Sequence, residues 1–195
     1  MQPKRKAGLI AGAVLAVMII AMIVIYNSLV KTSEKVNQQW SEVQNTYQRR
    51  LELVPNLVNV VKGVSEFERE TLKKIAEARS KALSGLSNNE LTAENYHNQV
   101  RLQDSLATAT NRLIAVVEKY PDLKGTEAYA GLQVQLEGTE RRIKVARNDF
   151  NEAVAIYNNK VRSFPANIVA GLFGFDKKKG FEADAGSNKA VEIKF

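Results

Sequence analysis

The feature that most constrains this chain is Gly8–Tyr26, an uncharged and mostly apolar run preceded by Lys4-Arg5-Lys6. In a helix, about 20 apolar residues match the hydrocarbon thickness of a bilayer. A cleaved signal peptide is the competing reading. Its apolar core is only about 7–15 residues and ends at a small-residue site, whereas Met22-Ile23-Val24-Ile25-Tyr26 offers none. The run is therefore expected to be an uncleaved transmembrane helix, with the lipid bilayer as a partner. The chain has no cysteine, which excludes a lipidated-cysteine anchor, disulfides and thiolate zinc sites. Positive charge close to a span tends to remain cytoplasmic. Lys4, Arg5 and Lys6 outweigh Lys31 and Lys35, which Glu34 dilutes. The expected topology has the N-terminus in the cytoplasm and the bulk of the chain outside it.

The rest of the chain reads as helix. Three heptad-patterned stretches are expected, from about Leu29 to Leu83, Leu91 to Lys119 and Thr126 to Ser163. Thr126 suits an N-cap, and Pro165 cannot continue a helix. Apolar residues alternate at +3 and +4. One seam runs Leu29, Ser33, Val36, Trp40, Val43, Tyr47, Arg50, Val54, Leu57, Val61 and Val64, another Leu102, Leu106, Ala109, Leu113, Val116 and Tyr120, and the last Tyr129, Leu132, Leu136, Thr139, Ile143, Ala146, Phe150, Ala153 and Tyr157. Such a 3.5-residue repeat drives left-handed helix packing, and short breaks imply antiparallel neighbours. The fold class is all-α: a transmembrane helix followed by an up-and-down antiparallel bundle of three to four long helices, with a short non-helical C-terminal tail. The expected divisions are a basic N-terminal tail (1–7), the span (8–27), the bundle (28–164) and an apolar tail (165–195).

Pro55 lies inside the first stretch, where its ring meets the Leu51 carbonyl and its N–H is missing. The seam keeps phase across it, which favours one bent helix over a hairpin. A bent helix of that length outruns the second stretch, so Val36, Trp40, Val43 and Tyr47 would lack intramolecular partners and become a self-association stripe. A hairpin at Pro55 would instead place them in a four-helix core. Arg50 and Thr139 interrupt the seams, either as buried polar positions that fix register or where a seam opens to solvent. In the tail, Val169, Leu172, Phe173 and Phe175 stand beside Lys177-Lys178-Lys179, suited to an anionic bilayer surface or another subunit. Val191, Ile193 and Phe195 alternate with Glu192 and Lys194 as in a short strand. These seven residues form a candidate tail interface.

No catalytic or cofactor site is expected. The single histidine, His97, follows Glu94 with E-x-x-H spacing, but a di-iron bundle needs two such motifs and further glutamates. Glu137 and Glu140 with Arg141, Arg142 and Arg147 fit ordinary helix ion pairs. No nucleophile has a histidine or equivalent base beside it. Gly171-Leu172-Phe173-Gly174 lacks the lysine and strand context of a phosphate loop. The net charge of +7 includes the leading basic cluster, and the remainder is dispersed. Three consecutive lysines are too few for a nucleic-acid groove.

Leu53-Val54-Pro55-Asn56-Leu57-Val58, Tyr120-Pro121-Asp122-Leu123-Lys124 and Leu136-Glu137-Gly138-Thr139-Glu140 carry a resemblance over essentially the whole chain. Trp40, Arg49-Arg50, Ala146-Arg147, Tyr157-Asn158 and Phe164-Pro165 extend it. The sequence resembles the LemA family of bacterial membrane proteins. Phe150 stands where the family often has tyrosine. The resemblance implies a single span followed by a bundle described as four helices, and it implies no known enzymatic activity, the family's function being poorly understood. The expected function is a non-enzymatic scaffold anchored in the bacterial inner membrane and self-assembling as a homo-oligomer, with an unidentified envelope protein as a further partner. The alternative is a transmembrane sensor or adaptor acting through a membrane partner. The few residues before the span weigh against that alternative.

Overall fold

The computed structural model describes residues 3–62, 69–86 and 92–181. They form α1 (Pro3–Lys62), α2 (Arg69–Leu86), α3 (Ala93–Val117), α4 (Pro121–Lys124), α5 (Glu127–Arg162) and α6 (Ala166–Phe173), with no strand among the described residues. Local signals explain several ends. The Thr92 hydroxyl accepts the Asn95 N–H at the start of α3, and Thr126 accepts the Tyr129 N–H at the start of α5. Pro121 begins α4, where a missing N–H costs nothing. Gly174 ends α6 in the left-handed region at φ 73°.

The chain divides into two compact units: Asn37–Asp149, and Met1–Val36 with Phe150–Phe195. In Asn37–Asp149, the directions of the four long helices follow from their cross-links. Arg79 of α2 reaches Leu51 of α1. On α3, Tyr96 packs on Trp40 and Gln103 meets Arg50. On α5, Gln135 pairs with Arg49, and Arg147 with Tyr47. Thus α2 and α5 run antiparallel to α1, and α3 runs parallel to it. Leu51, Val54, Leu57, Val61, Ile75, Leu106, Leu113 and Leu136 fill the centre. Each fully buried Leu or Val contributes roughly 1.5–3 kcal/mol. The packing between α2 and α3 is tight: a Cβ at Gly85 would lie 2.8 Å from Leu102 Cδ1.

Two expectations change. The stretch read as one helix from Leu29 to Leu83 is two helices, α1 and α2, with residues 63–68 between them. An apolar repeat that keeps its phase from α1 into α2 looks continuous in the sequence. Because α2 supplies a fourth helix, α3 and α5 reach along α1 to Trp40 and Tyr47. Val36, Trp40, Val43 and Tyr47 are all buried. This stripe is core, which corrects the expectation that it lacks partners within the chain. In addition, the tail expected to be non-helical opens with the eight residues of α6.

Pro55 does not end α1. Proline removes the N–H that would bond the carbonyl four residues back, which here belongs to Leu51. The Arg79 Nε–H donates to that carbonyl at 3.1 Å. Another helix therefore satisfies the acceptor that the proline orphans. Arg79→Met is expected to destabilise the bundle by about 1–3 kcal/mol, the cost of a buried acceptor left bare. In a Pro55→Ala background, the introduced alanine supplies the missing donor, and the same change should cost much less. A double-mutant cycle by chemical denaturation measures this coupling, and equal costs in both backgrounds would refute it.

In the other unit, Leu29, Phe150, Val154, Tyr157, Val161, Val169 and Ala170 are buried. Lys160 Nζ donates to Ser28 Oγ. The chain after α6 lies along α5, held by side-chain amides. Asn158 bonds the Lys178 N–H at 2.9 Å and its carbonyl at 2.7 Å. Asn151 does the same for Phe181, at 2.6 and 3.2 Å. The Tyr157 hydroxyl donates to the Asp176 carbonyl. A Cβ at Gly180 would come within 2.6 Å of Asn151 Oδ1, so a larger residue there would push on the amide that holds Phe181.

Candidate functional site

The chemistry inside Asn37–Asp149 is concentrated in a charged layer. Arg50 occupies a seam position on α1 and is only 2% exposed. All three of its guanidinium nitrogens are engaged. Nε and Nη2 donate to the two Glu140 carboxylate oxygens at 2.8 and 2.5 Å. Nη1 donates to the Gln103 backbone carbonyl at 3.0 Å and to its Oε1 at 3.3 Å. This bidentate fork fixes geometry as well as charge. The Glu140 side chain remains 47% exposed, so the pair joins core to solvent.

A second cluster lies beside it. Arg147 of α5 donates from Nε to the Tyr47 hydroxyl at 3.1 Å and from Nη2 to Asp104 Oδ1 at 2.6 Å. Burial pushes the Tyr47 phenol above its ordinary value, more strongly than Arg147 draws it down. Burial works against the charge on Arg147, but Tyr47 and Asp104 outweigh it and hold this guanidinium above its usual range. The two clusters tie α1, α3 and α5 together through directional charge-assisted bonds. The three Arg50 nitrogens and Nε and Nη2 of Arg147 are engaged by partners within the chain, as suits a lock that sets helix register.

The structure separates the residues grouped in the sequence. Glu140 and Arg147 belong to the two charged clusters, whereas Glu137 accepts from Gln133 on the surface of α5. Arg141 and Arg142 line an open groove of about 370 Å³ with Glu42 and Asp149. Thr139 is buried, its hydroxyl donating to the Gln135 carbonyl of its own helix. Both interrupted seam positions are therefore buried polar sites. His97 is exposed, its ring edge-on to Tyr96. Among the described residues no three His, Cys, Asp or Glu side chains converge as a metal site. Of the tail residues, Val169 is buried, Phe175 is half-buried, and Leu172 and Phe173 are exposed. Val191, Ile193 and Phe195, with the strand expected there, lie outside the described residues. Sequence reasoning missed Gln103, Asp104 and Arg79 as partners. Ala78 and Ala146, each buried just before its arginine, mark those arginines as core-flanking.

At the other end of α1, the apolar run is exposed along its length. It forms a helix long and apolar enough to cross a membrane. An all-helical protein of this kind, with an exposed apolar N-terminal helix leading into a polar-locked bundle, is a membrane-associated bundle protein. The chain belongs to the LemA family, whose model matches residues 39–195. Magnetosome proteins MamQ 1 and MamQ 2 of Paramagnetospirillum magneticum are each 25% identical to it over 175 residues, 80% of this chain and 64% of theirs. Protein LemA of Metamycoplasma hominis is 28% identical over 144 residues, 74% of this chain and 63% of the relative. The chain thus spans less than two thirds of the length of these relatives. Neither the family name nor these names denote an enzyme.

Proposed function

We propose that this protein is a non-enzymatic scaffold of the bacterial cell envelope, anchored in the inner membrane with its N-terminus cytoplasmic and self-assembling through its bundle. The observation that carries the reading is a second seam on the outward face of α5. Gly131, Val134, Gly138, Arg141 and Val145 follow +3/+4 spacing, two residues out of phase with the core seam. Val134 and Val145 are 64% and 57% exposed. Beyond the helix's own backbone, no described atom lies within 4 Å of a Cβ placed at Gly131 or Gly138. Each helix-interior glycine costs roughly 0.5–1 kcal/mol relative to alanine, so two of them without an intramolecular reason suit the close approach of a second copy.

Val134→Glu with Val145→Glu tests this. Both positions are exposed, so helicity should remain while the oligomer, sized by light scattering in detergent and in nanodiscs, becomes smaller. An unaltered mass, or a monomeric parent protein in both media, would overturn self-assembly through this face. The sensor or adaptor reading draws support from the continuity of α1, in which the apolar run and the first bundle helix are one helix. Capture of a stoichiometric membrane partner by the monomeric variant would favour it.

A further inference from the structure

We infer that α6 is a second membrane contact, a short helix lying in the headgroup region of the bilayer that holds the chain's own span. A helix that is apolar all round is normally buried all round. The sequence of α6, Ala-Asn-Ile-Val-Ala-Gly-Leu-Phe, is apolar on both faces. One face is satisfied, because Val169 and Ala170 are buried within the chain. The opposite face is bare: Ile168 and Leu172, one turn apart, are 60% and 66% exposed. Phe164, just before the helix, is 81% exposed.

The position of α6 identifies what covers that face. Tyr26 closes the apolar run, and its ring packs edge-on against Phe173 at 4.9 Å and Phe175 at 5.6 Å. Those contacts fix α6 at the end of the span, the level at which aromatic side chains concentrate in membrane proteins. An apolar face there borders on the boundary between headgroups and acyl chains, the depth occupied by interfacial helices. Lys177 and Lys179, both exposed, follow directly and present ammonium groups suited to lipid phosphates. The bare face of α6 is thus continuous with the lipid-facing surface of α1, and a bilayer covers both.

The inference rests on the reading of Gly8–Tyr26 as a span, and its test separates the two. The chain has no cysteine, so single cysteines can be introduced at Ile20, Ile168, Leu172 and Lys73 and given nitroxide labels. The full chain is reconstituted in mixed phosphatidylcholine and phosphatidylglycerol vesicles. Collision with oxygen, which dissolves in lipid, is compared with collision with a water-soluble nickel chelate. Ile168→Cys and Leu172→Cys should show an oxygen-to-nickel ratio several-fold above that of Lys73→Cys and approaching that of Ile20→Cys. If Ile20→Cys reads as lipid while the α6 labels match Lys73→Cys, the inference fails and the span stands. If Ile20→Cys also reads as water, the span reading itself fails. If the α6 labels are shielded from both reagents, protein rather than lipid covers the face, and the inference is again overturned.

Discussion

Trp40→Glu combined with Val43→Glu is expected to abolish cooperative folding of the bundle. Val43 is fully buried and Trp40 is 3% exposed, its ring 5.1 Å from Tyr96. They lie three residues apart on one face of α1, so the two carboxylates would also repel each other. A buried unpaired charge costs several kcal/mol even after the protein relaxes. Two such charges compete with a total stability of about 5–15 kcal/mol for a domain. The lost indole and isopropyl packing adds to the penalty. Tyr47→Glu is a poorer probe, because Arg147 already stands at the Tyr47 hydroxyl and would pair with the new charge. The measurement is far-UV circular dichroism during denaturation of the full chain in detergent, with limited proteolysis beside it. The cooperative transition should vanish. A variant that keeps the transition and only becomes a smaller oligomer would show that this stripe faces outward.

Removal of the two partners of the buried ion pair should have unequal effects. Glu140→Leu leaves Arg50 charged, 2% exposed and deprived of its bidentate acceptor. Arginine does not neutralise itself by losing a proton, so the cost should reach about 3–5 kcal/mol, as for other broken buried pairs. Arg50→Met leaves a carboxylate that is 47% exposed and can be hydrated. Its main cost is the buried Gln103 Oε1 left without its donor, about 1–3 kcal/mol. Arg50→Met with Glu140→Leu should recover much of the loss of Glu140→Leu alone, because no buried charge remains unpaired. Denaturant unfolding of the three variants decides this. If Arg50→Met proved the more damaging single change, the pair would owe its importance to the packing of the arginine stem and not to its charge.

Much of the architecture was legible because its causes are local. The length and neutrality of Gly8–Tyr26 specify an apolar helix without reference to any neighbour. The seam from Tyr129 names most of what α5 buries, because helical period alone chooses the face, whereas the seam from Leu102 catches Leu106, Leu113 and Val116 of α3 but misses the buried Tyr96, Gln99, Gln103 and Thr110. Thr126 as a cap and Pro165 as a stop are likewise properties of the backbone at those positions. What the sequence left open depended on what stands across the core. Whether Pro55 ends a helix turns on a donor for the Leu51 carbonyl, and that donor is Arg79, 28 residues away on another helix. Whether the stripe from Val36 to Tyr47 faces outward turns on a fourth helix, and α1 and α2 share a seam phase that concealed the break between them. Arg50 could be read as buried or solvated until Glu140 and Gln103 were seen to receive its nitrogens. Glu140 lies 90 positions away and Gln103 lies 53, and no periodicity encodes such a pairing. Period and charge, repeated every few residues, determined which surface each helix buries. Only the tertiary structure decided which group meets each polar atom on that surface, because hydrogen bonds require a particular partner at a particular distance, whereas apolar burial requires only that water be excluded.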